Sequence, residues 1–338
     1  MSWLYNLYQT YQSNLSRIGV IEKTHYDKEY TLIPISHTTQ NAHIEVNITE
    51  EGAFHSAIVI DKSDANTLIP CTEDSASRAG SKVAPYPLHD KLSYVAGDFV
   101  AYGGNIKSNK ETFSSYINQL KEWTESPFGH WKIKSIYQYL SKGQLIKDLV
   151  NERVLFLDEE AQLISKWDDK YRLLHGDKPP IFSAVTGGQE SAFIRFNVYS
   201  PKDILKVVWR DTELYDSFIR YYERLLSDED YCYVTGTVLP RTERHANKIR
   251  NAADKAKLIS ANDEKGFTYR GRFNKSNEAA NISYDVSQKA HNALKWLINY
   301  QGKIVAQRVF LVWANKKIEV PEPTDDSFDI FFEMGCSR

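Results

Sequence analysis

Apolar and polar positions alternate most regularly in Ser191–Val198, where Ala192, Ile194, Phe196 and Val198 take turns with Arg195 and Asn197. A side-chain period of two predicts a strand with one buried face. His43–Ile48 has the same rhythm, with Ile44, Val46 and Ile48 on one side; Glu51-Gly52 turns it back, and Ala57–Ile60 is the expected hairpin partner. Shorter strand candidates are Thr31–Ile35, the run ending Leu68-Ile69-Pro70, Tyr231–Val238 before Pro240, and Val309–Trp313. Helical spacing marks residues 2–15, with Ser2 as cap and Leu4, Leu7, Tyr8 and Tyr11 on one face. It recurs in Lys110–Trp123, in Ile133–Leu140 and Gln144–Val150 around Gly143, and in Leu214–Leu226. Helices packed on sheets in which antiparallel pairing is prominent predict an α+β fold.

Phe267–Ile298 joins several signals in one stretch. Phe267, Tyr269 and Phe273 alternate along a strand-like run that carries Arg270 and Arg272. A polar turn over Asn274–Asn281 follows, then a helix in which Asp285 and Gln288 have the spacing of a capping box. Val286, Ala290, Ala293, Leu294 and Leu297 form its apolar face, Gln288, His291, Lys295 and Asn299 its wet face, and Gly302 its stop. The Gly176–Pro180 turn reads as a lobe boundary, giving lobes at 1–176 and 177–320. An acidic linker and the start of a further region occupy 321–338, so a longer protein is expected.

With 338 residues and 42% apolar content, the chain can build a sizeable core without disulfides or a structural metal. A net charge of −2 hides two biased regions. Arg241–Lys275 carries ten Lys or Arg against four Asp or Glu, and 319–333 carries six acids with no Lys or Arg. Cys71, Cys232 and Cys336 are odd in number and far apart, which fits a reducing compartment and lacks thiolate metal-site spacing. No apolar run approaches a membrane span and no secretory leader is present, so a cytoplasmic protein without membrane partners is expected.

Two segments have the chemistry of nucleic-acid contact. Thr72–Lys82 is small and polar: backbone amides near Gly80 can approach phosphates or a groove edge, and Arg78 and Lys82 can neutralise charge. The same composition also describes an ordinary solvated loop. In 241–250, Arg241, Arg244, Lys248 and Arg250 are spaced to share a helix side, followed by aromatics interleaved with Arg270 and Arg272. A solvated charged face is the alternative there.

Catalytic constellations are incomplete. Ser287 and His291 stand one helical turn apart, but nothing supplies an orienting group or an oxyanion site. His37 and His43 lack a third metal ligand of fitting spacing. Glu73-Asp74 and Asp168-Asp169 sit in solvated settings, and Gly187-Gly188 lacks the lysine of a phosphate-binding loop. No cofactor is expected.

Five stretches carry a family resemblance: MSWLYNLYQTY; PISHTTQNAHIEV; IPCTEDSASRAGSKVAPYPLHDKLSYVAGDF; LISANDEKGFTYRGRF; and ISYDVSQKAHNALKWLI followed by a strand ending Val312-Trp313-Ala314. In this order, across roughly residues 1–314, the chain resembles the large subunit of the type I-C CRISPR Cascade surveillance complex, the Csd-type family. The resemblance implies a non-enzymatic DNA-binding subunit at the foot of a guide-RNA complex, beside the subunit that caps the guide's 5′ end. Such subunits read the protospacer-adjacent motif on double-stranded DNA, promote opening into an R-loop, and favour docking of the helicase–nuclease. The family continues into a C-terminal helical part, from which an internally translated small subunit also arises.

Applied to this chain, the role assigns motif reading to Thr72, Ser75, Ser77, Arg78, Gly80, Ser81 and Lys82. Backbone contact falls to Arg244, Lys248, Arg250, Arg270, Arg272 and Lys275. Two other classes fit parts of the pattern. A CRISPR-associated endoribonuclease trimming guide precursors would need a positioned base, for which His245 and Lys248 are the nearest material. A scaffold binding only protein neighbours would make DNA binding indifferent to the charges of 241–275.

Overall fold

Ile44, Val46 and Ile48 alternate with Glu45 and Asn47, and that period of two fixes which side of a sheet becomes core. The structure, a computed structural model, describes residues 2–23, 29–78, 82–105, 111–201, 207–251, 254, 257–261 and 271–314. It is an α+β protein, rich in antiparallel pairs. Its contacts form two compact units, Ser36–Leu225 and Met1–Ile35 with Leu226–Arg338.

The first of these is built on a four-stranded sheet. Its order is Phe54–Val59, Ile44–Thr49, Phe193–Tyr199, Asp90–Lys91. The hairpin expected at Glu51-Gly52 forms, and Phe193–Tyr199 then pairs with Ile44–Thr49 in parallel, Ile44 opposite Ile194. Ile44, Val46, Ile48, Ile194 and Phe196 are fully buried on one face. Each such side chain contributes about 1.5–3 kcal/mol relative to exposure.

The other face is polar but not wet. Arg195, expected on the solvent side, is 6% exposed. Its guanidinium meets Glu45 Oε2 at 2.7 Å and lies 3.9 Å from the Trp209 ring centre. Asn197 Nδ2 donates to Asn47 Oδ1 at 3.1 Å, the next rung of the same ladder. Two imidazoles serve the Phe193–Tyr199 strand: Phe193 N–H donates to half-buried His43 Nδ1 at 2.9 Å and Phe196 N–H to fully buried His89 Nδ1 at 3.1 Å. Helices Thr112–Glu125, Trp131–Leu140, Leu145–Asn151 and Thr212–Glu223 bury Trp123, Ile133, Leu149 and Phe218.

The lobe boundary expected at residue 176 falls inside this unit. Strand pairing across it, between residues 44–49 and 193–199, binds the two sides together.

In the other unit, Trp3–Gln12 packs on Tyr284–Gln301. Ser2 caps the first helix, as expected, its Oγ accepting from Tyr5 N–H. The second is capped by Ser283, whose Oγ accepts from Val286 N–H, while Asp285 pairs with Lys289 at 2.8 Å. Val286, Ala290, Ala293 and Leu297 are buried as the pattern required, and Gly302 follows the last turn. His291 is buried too, contrary to its expected wet position.

The strand expected over Tyr231–Val238 is instead a hairpin, Glu229–Tyr231 against Val238–Thr242, with Pro240 inside the second strand. Tight bonding within the turn, Gly236 N–H to Cys232 O at 2.8 Å, reverses the chain there. Ile282–Ser283 completes this three-stranded sheet. Residues 315–338, including the acidic stretch and Phe328–Phe332, lie outside the described residues.

Candidate nucleic-acid interface

Thr72–Lys82 was legible only as a loop, but it starts with a short, locally closed helix, Glu73–Ala76. Thr72 Oγ1 accepts from Ser75 N–H at 3.1 Å, and Thr72 N–H donates to Ser75 Oγ at 2.8 Å. Ser75 is fully buried by this exchange. Glu73 N–H donates to Tyr222 Oη at 3.0 Å, which pins the turn to the Thr212–Glu223 helix. Ala76 and Ser77 are exposed at its end.

Arg78 turns inward. Its two terminal nitrogens donate to Asp90 Oδ2 at 2.7 Å and Oδ1 at 2.9 Å, a bidentate pair, and one also reaches Ala84 O at 3.2 Å. The guanidinium sits over the rings of Tyr86 and Tyr94, at 4.7 and 4.5 Å. Asp90 has no exposed side-chain surface, and the Arg78 side chain only 16%. Asp90 also accepts the backbone N–H of Tyr86 and of Lys91. Burial pushes the Asp90 carboxyl up; Arg78 and these amides pull against it. Lys82 is exposed and meets Asp74 at 2.6 Å across the mouth of the turn. Gly80 and Ser81 lie outside the described residues.

The basic stretch is in the other unit. The helix expected over residues 241–250 is absent. Thr242 Oγ1 accepts from Arg244 N–H at 2.9 Å, but Val238–Thr242 is a strand and Lys248 takes a φ of +55°, neither of which a helix permits. Arg244, Lys248 and Arg250 are nevertheless exposed, while His245 and Ile249 turn inward. Arg241 is engaged by Asp228 at 2.6 Å and Glu243 at 2.8 Å. Arg250 is held by Asp254 at 2.8 Å and by Gln307 O at 2.9 Å. Arg272 and Lys275 are exposed in the turn after residue 270, the former 5.6 Å from the Phe273 ring. Arg270 is outside the described residues, as are Phe267 and Tyr269 of the expected strand; residues 271–272 form a turn.

The side chains weighed for catalysis make buried or local contacts. His291 Nδ1 donates to Ser287 O at 2.6 Å, so it is no base toward Ser287 Oγ, 3.4 Å away. Ser287 Oγ instead meets His245 Nδ1 at 2.9 Å, and all three side chains are buried. Burial lowers both imidazoles to about 4, so both are neutral at pH 7. His43 is committed to Phe193 N–H, and His37 packs edge-on against Tyr215 and Phe218. Asp168 accepts from Lys170 N–H, capping a short turn. Among the described residues, no three His, Cys, Asp or Glu come together to hold a metal, and no helix is long and apolar enough to cross a membrane.

Sequence reasoning missed the Asp90–Arg78 clamp and the His245–Ser287 link. A signal for the first was present: one acid and two tyrosines, Asp90, Tyr86 and Tyr94, close in sequence to a lone arginine. The second joins residues 42 apart and leaves no local trace.

No curated protein matches the chain. The family model described as CRISPR-associated protein (Cas_Csd1) matches residues 4–335, across both units, and the chain belongs to that family.

Proposed function

We propose that this chain is the non-catalytic, DNA-binding large subunit of a type I-C RNA-guided complex in cytoplasmic antiviral defence. It recognises the protospacer-adjacent motif on the target duplex, promotes opening beside the guide, and helps recruit the helicase–nuclease. Its protein partners are the guide-bearing Cascade subunits. The observation that carries this reading is the family match over residues 4–335.

The physics of the reaction is in keeping with it. Guide pairing reads the target sequence, so the protein needs only a short motif and backbone shape. Exchange of DNA duplex for RNA–DNA heteroduplex is nearly balanced in energy, and a modest contact that nucleates opening decides the outcome. A turn with small exposed residues, Ala76 and Ser77, and a cation at its rim, Lys82, suits close approach to a groove without insertion. Wedging a bulky side chain would cost roughly a few kcal/mol per unstacked step. Exposed Arg244, Lys248, Arg272 and Lys275 supply backbone charge in this reading.

The test is reconstitution into a guide-loaded complex that lacks its large subunit. Binding is measured to target duplexes with and without a permissive flanking motif, across a salt series. Motif-dependent binding supports the reader role. Assembly without motif discrimination leaves a scaffold. Metal-free cleavage of precursor RNA by the isolated chain would replace the reading with the endoribonuclease.

A further inference from the structure

Arg78 lies within the turn proposed above to meet DNA, yet its side chain is already engaged. Three donor contacts run from its guanidinium to Asp90 and Ala84 O, and two tyrosine rings sit beside it. Asp90 belongs to a strand of the four-stranded sheet, opposite Ile194. The contact therefore ties the chain just before residues 79–81 to the chain just after them, and both to the sheet. On the near side, Thr72 and Ser75 close the short helix and Tyr222 holds it. Across the mouth, Lys82 and Asp74 pair at the surface, with about half of each side chain exposed (51% and 48%).

To reach a phosphate, Arg78 would have to leave a fully buried carboxylate. An ionised group left unpaired in the interior costs several kcal/mol, more than a surface phosphate contact returns. Lys82 has no such constraint: its partner is an exposed acid, and ion pairs of that kind are worth little. We infer that Arg78 is a positioning residue, which holds residues 72–78 against the sheet in their DNA-reading geometry through Asp90, and that Lys82 carries the charge presented to DNA there. The inference rests on the proposed function, because it assumes that the turn meets DNA.

The experiment uses the full chain in the guide-loaded complex, with Arg78→Met, Asp90→Asn, Lys82→Met and Lys82→Glu. Uptake into the complex, affinity for motif-bearing and motif-less duplexes across a salt series, and hydrogen exchange over residues 72–91 are measured on each. Asp90→Asn keeps the size and part of the hydrogen bonding of the buried partner, so it remains informative if Arg78→Met fails to assemble.

Asp90→Asn and Arg78→Met should each lower the preference for motif-bearing duplex about tenfold, the worth of one good base contact. Uptake and motif-less binding should be unchanged, and exchange over 72–91 faster. The slope of log affinity against log salt should stay the same for these two and fall by about 1 for Lys82→Met. A slope that falls by about 1 in Arg78→Met, with Asp90→Asn silent, makes Arg78 a phosphate contact and overturns the inference. Weaker binding by Lys82→Glu with unaltered motif preference in Asp90→Asn removes the positioning role and leaves the DNA-facing turn standing. If Lys82→Glu itself binds as the parent does, the turn does not meet DNA, and the underlying reading fails first.

Discussion

Lys132 Nζ lies 2.7 Å from Asp211 Oδ2, with 0% and 2% of the two side chains exposed. The pair joins the first turn of the Trp131–Leu140 helix to the N-cap of Thr212–Glu223, because Asp211 Oδ1 also accepts Glu213 N–H at 3.1 Å. Removing one partner strands the other charge. Lys132→Met should therefore destabilise Ser36–Leu225 by about 3–5 kcal/mol, read from denaturant unfolding. Lys132→Met with Asp211→Asn, which keeps a capping oxygen, should recover a good part of that loss. Equal destabilisation by the single and double variants would show that packing, not the charge pair, sets the cost.

Acid should weaken both units through buried histidines. Burial holds His89 at about 3 and His245 and His291 at about 4, all below the ordinary 6.5. The unfolded chain takes up protons below 6.5 that the folded chain refuses, so stability falls as pH drops from 6.5 toward those values. At pH 5 each imidazole should cost about 2 kcal/mol relative to pH 7.5. Urea midpoints across that range check it. His89→Asn, which retains an acceptor for Phe196 N–H, should flatten the profile of its unit; an unaltered profile would mean that His89 does not drive the loss.

The exposed cations of the other unit can be separated by salt. Replacing Arg244, Lys248, Arg272 and Lys275 with Gln should lower the salt slope of duplex binding by up to about 3–4 units. Arg250→Gln should leave the slope alone, because Asp254 and Gln307 O already hold that side chain. A slope indifferent to the fourfold variant would favour a surface for protein neighbours.

Gly52 has a positive φ of +71°, and a Cβ there would come within 2.8 Å of Gln138 Cβ and 2.9 Å of Ser135 O. Gly52→Ala should cost about 2 kcal/mol or more, part backbone conformation and part collision with the Trp131–Leu140 helix. Gly143 has a similar φ of +62°, and a Cβ there would meet nothing nearer than Gly97 Cα at 3.9 Å, so Gly143→Ala reports the conformational part without a collision. Thermal unfolding of the two variants should differ by the collision; equal shifts would remove it from the account.

Elements with a strong period were readable without the fold. The 44–48 and 192–198 alternations, the Ser2 cap and the apolar face of Tyr284–Gln301 each declare themselves locally, because burial of one side dictates the spacing. Long-range pairing is what failed to show. Arg195 looked solvent-facing until Glu45 and Trp209 closed over it, and His291 looked wet until His245 arrived from another strand's end. In the candidate interface, small polar composition announced a turn but not its anchor, since the role of Arg78 depends on the fold of Tyr86–Asp90 and on Tyr94. Charge spacing in 241–250 is compatible with a helix, but pairing of Val238–Thr242 with Glu229–Tyr231 and Ile282–Ser283 draws the start of the segment into a sheet.

The parallel pairing of Ile44–Thr49 with Phe193–Tyr199 has a consequence for synthesis. Its partners are 150 residues apart, as in the Arg195–Glu45 contact. A ribosome adding about 5–20 residues per second needs roughly 8–30 s to make that interval, far longer than a hairpin takes to form. Throughout that time the Ile44–Thr49 strand has the Phe54–Val59 neighbour on one side and an open edge on the other. The nascent chain thus exposes Ile44, Val46 and Ile48 beside unpaired backbone, a template for chaperones or for another nascent chain, until residue 199 emerges.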